Sequence, residues 1–150
     1  MRLTLVVGLA LALLLVPAAA QASDKSLKST VKKELTTLEK AEKRFAKAMD
    51  KLESDGDAEQ GKQATEKLIT AVERFHSKVE AETAESKGLK TARTKLLKAS
   101  ETYESGLNKL IEALDADSKS KLKSALKTIN RAYKQFYSAG ESLGKAGADV

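Results

Sequence analysis

The only histidine of the chain, His76, stands three residues after Glu73 in the stretch VERFH. Glu-x-x-His on a helix is the pairing that di-iron bundle proteins aim into their core. Such a centre needs two copies of the motif and two further glutamates, and one histidine cannot supply them. The helical register described below also turns Val72 and Phe75 inward and leaves Glu73 and His76 on the flank. The expectation is a surface histidine and no metal site.

Other chemistries fail on similar grounds. Haem held between a methionine and a histidine would use Met49 and His76. From the turn near Gly56, these lie about 10 Å and about 30 Å along their respective helices, at 1.5 Å per residue. They cannot share one iron. The absence of cysteine excludes a disulfide framework, c-type haem attachment, cysteine-ligated zinc and a thiol nucleophile. No Gly-x-Ser-x-Gly turn or phosphate-cradling glycine loop is present, so nothing activates the plentiful hydroxyls. The sequence therefore points to a protein that is not an enzyme and carries no cofactor.

Charge is distributed less evenly. Residues 23–54 carry nine lysines and arginines against six acids, and residues 55–86 carry four against eight. Residues 87–117 are close to balanced, and 118–150 carry seven bases against two acids. Lys119, Lys121 and Lys123 crowd the start of the last helix, where the helix dipole favours negative charge. Lys123, Lys127, Arg131 and Lys134 continue along one face. These six residues are the candidate anion-binding set, with the first and fourth helices expected side by side as one basic surface. No aromatic side chains interleave with them as single-stranded nucleic acid grooves require, so no specific nucleic acid is expected. Tyr137 is the outward aromatic of note, beside Phe136.

The elements that must position these groups follow from a heptad. Leu38, Phe45 and Leu52 stand seven apart, as do Leu68 and Phe75. Leu89, Leu96, Tyr103 and Leu110 repeat the spacing, and so do Leu122, Ile129, Phe136 and Leu143. Three residues after most of them comes a small one: Ala41, Ala48, Ala71, Ala92, Ala99, Gly106, Ala125, Ala132 and Ala139. A third apolar position often follows four residues on, as at Met49, Val72 and Leu107. Called a, d and e, these make a stripe roughly 100° wide, which is a core-facing helix face.

Three interruptions divide the stripe. SDGD at 54–57 is a turn. SKGL at 86–89 places Gly88 as a left-handed helix terminator of the Schellman kind. DADS at 115–118 offers Asp117 or Ser118 as an N-cap. The helices so delimited cover about 26–54, 58–86, 89–115 and 118–143, each roughly 40 Å long. The fold class is all-α: an up-down-up-down antiparallel four-helix bundle with small residues at d. The rival arrangement, a continuous second and third helix running through Gly88, would make one helix twice as long as its neighbours. Alanine and glycine at d draw helices together, giving a thin, filled core without room for a buried organic group. The close of the second helix, with Glu82 at an a position, and the glycine-bearing tail from about 144 both look soft. Matches between the first and third helices at an offset of 58, and between the second and fourth at 61, follow as readily from the shared heptad as from a duplicated hairpin.

Residues 1–22 read as a signal peptide. Arg2 precedes an apolar run over 3–16, Pro17 breaks it, and Ala20-Gln21-Ala22 gives a small-x-small cleavage pattern before Ser23. The run is shorter than the ~20 residues a membrane-spanning helix needs. The mature chain, 23–150, is a secreted, periplasmic or envelope protein of one domain. Its expected role is a structural or protein-interaction module, as a monomer or small homo-oligomer with an unidentified protein or envelope partner. The alternative is a binder of anionic polymers or membrane surfaces through the basic side.

Overall fold

Gly56 turns the chain for the first time, and it does so with a φ of 72°, the left-handed conformation that glycine adopts at least cost. Its amide returns to the Leu52 carbonyl at 3.0 Å, closing α1 (Ala22–Asp55) before α2 (Ala58–Ala81) begins. Two further helices follow, α3 (Lys87–Asp115) and α4 (Lys119–Ala148). The structure, a computed structural model, describes residues 22–56 and 58–148. The expected signal peptide, apart from its last residue Ala22, lies outside these residues. Among the described residues no helix is long and apolar enough to cross a membrane.

Cross-helix pairs fix the topology. Glu34 meets Arg74 while Asp24 meets Glu85, so α1 and α2 run antiparallel. Lys62 meets Asp115 and His76 meets Ser100, which makes α2 and α3 antiparallel. Lys95 reaches Ser138 and Ser142, and α3 and α4 are antiparallel in turn. The all-α four-helix bundle is as the heptad implies. The a residues Leu38, Phe45, Leu68, Phe75, Leu89, Leu96, Tyr103, Leu110, Ile129, Phe136 and Leu143 are all buried. Phe75 and Tyr103 each stand edge-on to Phe136, at 5.7 and 6.2 Å between centroids. Burying each of these large side chains contributes about 1.5–3 kcal/mol.

Four helix boundaries differ from the sequence expectation: α1 begins at Ala22 rather than about 26, and the other three differ for local reasons. Gly88 is not a terminator. It sits in the first turn of α3, where Ser86 is the N-cap and its hydroxyl accepts from the Leu89 amide. What requires glycine there is space, since a Cβ would come within 2.7 Å of the Ala146 Cβ. The Schellman geometry lies instead after α3, centred on Asp117 with φ 43°. The Ser118 amide bonds to the Ala113 carbonyl and the Asp117 amide to Leu114, the paired bonds of that motif. Aspartate is among the few side chains that tolerate this conformation. Ser118 then caps α4 through the Lys121 amide.

α2 ends at Ala81 rather than 86, and 82–86 cross to α3 without helical structure. Arg93 caps the end of α2 by donating to the Val79 and Glu80 carbonyls at 3.2 and 2.6 Å. The linker is tied to α1: the Asp24 carboxylate accepts from the Glu85 and Ser86 amides, and the Thr30 hydroxyl donates to Glu82. α4 continues past Leu143 to Ala148 because Ala146 is buried against Gly88.

The d alanines act differently in the two halves. Between α3 and α4 they bring the backbones into near contact. A Cβ on Gly106 would lie 2.8 Å from Ile129 Cγ1 and 3.0 Å from its backbone nitrogen. Ala92, Ala99, Ala125, Ala132 and Ala139 are sealed inside this seam. Between α1 and α2 the corresponding Ala41, Ala64 and Ala71 are only half-buried, and a trough opens above them.

Candidate functional site: a basic trough between α1 and α2

Lys40, Arg44, Lys47 and Lys51 stand four, three and four residues apart, so they share one face of α1. That face borders α2. Lys67 and Arg74 rise from the opposite rim, with Gln60, Gln63, Thr37 and Thr70 completing the walls. Ala41, Ala48, Ala64 and Ala71 make the floor. The trough has a volume of about 840 Å³, and no carboxylate lines it. It runs over 37–51 and 60–74, about 21 Å along the helices.

Arg74 closes one end. Its Nε and Nη2 donate to the two oxygens of Glu34 at 2.9 and 3.2 Å, and Glu34 is buried at its heptad d position. This fork fixes the spacing of α1 and α2 and neutralises that one cation. Among the described residues no carboxylate lies within ion-pairing distance of Lys40, Arg44, Lys47, Lys51 or Lys67. Four of these five cations stand on the α1 rim and Lys67 stands on the α2 rim, and like charges facing each other across the gap oppose its closure. An anion placed between them would meet charge from both sides.

The residues singled out in the sequence fall elsewhere. Lys119, Lys121, Lys123, Lys127, Arg131 and Lys134 are all exposed on α4, and none of them lines the trough. Close backbone contacts join α1 with α2, α2 with α3, and α3 with α4. The cations of α1 that gather at a cleft do so with α2, not with the α4 row. Tyr137 projects outward, 66 % exposed.

Glu73 is exposed, and His76 serves the α2–α3 interface. Its Nδ1 lies 2.9 Å from the Ser100 hydroxyl, which itself donates to the Leu97 carbonyl. With that proton committed, the imidazole donates through Nδ1. Among the described residues no group of three or more His, Cys, Asp or Glu is placed to hold a metal ion.

One titratable cluster escaped the sequence reading. Glu42, only 2 % exposed, accepts from the Tyr103 hydroxyl at 3.0 Å, and the Tyr103 and Tyr133 hydroxyls are 2.9 Å apart. Burial pushes the Glu42 carboxyl up to about 7, against the opposing pull of hydrogen bonds from the two phenols. Burial also raises both phenols, Tyr103 strongly. The signal was available: Glu42 occupies an e position, one place after Ala41 at d. The trough was likewise spelled out in the 4-3-4 spacing of the α1 cations.

No family model, curated protein or solved structure matches this chain.

Proposed function

We propose that the mature chain is an exported, non-enzymatic interaction module, working at the cell envelope or outside the cell. Its binding surface in this reading is the α1–α2 trough, and its partner is anionic. The observation that carries the reading is the trough's lining: six cationic side chains, five of them without a carboxylate partner among the described residues, around an alanine floor. Like charges held on facing walls oppose each other when the site is empty, and a partner of opposite sign relieves that cost. Affinity of this origin is steep in salt.

Retention on a sulfated-dextran matrix tests the location of the site. Two variants each remove four positive charges: Lys40, Arg44, Lys47 and Lys51 to glutamine, or Lys119, Lys121, Lys123 and Lys127 to glutamine. The trough variant should elute at much lower salt than the α4 variant. Equal shifts would mean that net charge alone governs retention, and the trough would lose its claim.

A further inference from the structure

We infer that the occupant of the trough is an acidic amphipathic helix of a partner protein, docking through a face of small residues. This rests on the reading of the trough as the binding surface, and it names what that surface selects.

Pitch is the first argument. Lys40, Arg44, Lys47 and Lys51 rise along α1 in steps of about 6, 4.5 and 6 Å. A helix lying along α1 and bearing carboxylates at i, i+4, i+7 and i+11 repeats those steps, so each acid meets a base. The trough's length of about four helical turns accommodates such a segment.

The floor is the second. Ala41 and Ala48 on α1, and Ala64 and Ala71 on α2, are each pairs seven residues apart. The same molecule displays what covers rows of this kind. On α3 and α4, rows of alanine and glycine at heptad spacing are covered by another helix whose own face is small. On α1 and α2, among the described residues, no further helix covers them: Ala41, Ala64 and Ala71 are only half-buried, and like charges stand on both rims of the trough above them. A third helix with alanine or glycine on its docking face could reach the floor and place carboxylates against both rims.

The other anionic partners use this surface less fully. A flexible polyanion engages the cations and leaves the apolar floor uncovered. A single-stranded nucleic acid lacks the aromatic platforms on which its bases stack, because no aromatic residue lines the trough. A membrane surface is held most firmly where charge attraction is joined by a large apolar side chain that inserts. Among the described residues the exposed one is Tyr137, on α4 and outside the trough.

The test uses two probes against the whole mature chain. One is a synthetic peptide of about four helical turns, with alanine at heptad a and d, glutamate at c and g so that acids recur at i, i+4, i+7 and i+11 on one flank, and glutamate at e on the other. The other is polyglutamate of equal charge, a coil at neutral pH. Binding is followed by calorimetry, and peptide helicity by circular dichroism. The helical peptide should bind at least about ten-fold more tightly than polyglutamate and gain helicity on binding. Replacing Ala41, Ala64 and Ala71 with leucine fills the floor without changing charge. With its helical content checked, that variant should lose about ten-fold for the peptide and nothing for polyglutamate.

Equal binding of the two probes, or unchanged peptide binding by the filled variant, overturns the helical partner and leaves the anionic trough standing. If Lys40, Arg44, Lys47 and Lys51 can all become glutamine without loss for either probe, the trough reading itself fails.

Discussion

The Tyr103 hydroxyl on α3 donates to the Glu42 carboxylate on α1 at 3.0 Å, joining two helices that are not consecutive in the chain. A carboxyl so placed is held in its protonated form by burial, up to about 7 from the usual 4.5. The native state therefore binds a proton that the unfolded chain has released between those values. Stability from this group is fully present below about 4.5, falls as pH rises toward 7, and is flat above.

The size of that effect follows from the shift, about 3 kcal/mol in all. Urea denaturation at pH 5 and pH 8 should show the wild type losing an amount of this order at the higher pH. Glu42→Gln should be level across the same range. A wild type as stable at pH 8 as at pH 5 would show that the carboxylate is solvated after all.

Acid should act through different residues. Asp24 and Glu82 are both pulled below the usual carboxylate range. Burial of Asp24 opposes this but is outweighed by the Glu85 and Ser86 donors, while the Thr30 hydroxyl lowers Glu82. Their contributions are present above the ordinary carboxylate pKa and are lost as pH falls through the lowered values. Together with Glu42 they place the stability maximum in mildly acidic solution. Asp24→Ala strands two linker amides and should cost about 1–3 kcal/mol at pH 5, measured by urea denaturation.

The α3–α4 seam should respond to a single methyl group. Gly106→Ala puts a Cβ against the Ile129 backbone and should destabilise by about 1–3 kcal/mol. Gly144→Ala meets nothing within 4 Å on the same helix pair and should stabilise by about 0.5–1 kcal/mol. Thermal melts of the two variants should move in opposite directions.

Much of this was legible before any coordinates. Seven-residue spacing from Leu38 to Leu143 delivers the four helices and their buried faces because periodicity is a property of the sequence itself. Gly88 was misread because glycine serves two physical needs, a positive φ or a close approach. Only the neighbour, Ala146, shows which applies. Of the two cap candidates after α3, Ser118 is the cap and Asp117 is the left-handed residue, a choice the sequence leaves open because aspartate suits both. The sequence draws attention to a basic face on the first and fourth helices, with its candidate residues on α4 where lysines are dense, whereas the proposed trough lies between α1 and α2. Density alone does not show whether a second helix supplies a facing wall. Lys40, Arg44, Lys47 and Lys51 gain significance from Lys67 and Ala64 across the trough, a relationship held in the packing of α1 on α2.

The most direct test of the trough is a chemical-shift titration of ¹⁵N-labelled residues 23–150 with polyglutamate at low salt. The expected result is that amide shifts gather on 37–51 and 60–74 and fade as salt is added. Shifts gathered on 119–134, or spread evenly over every lysine-bearing face, would contradict the assignment of the binding surface.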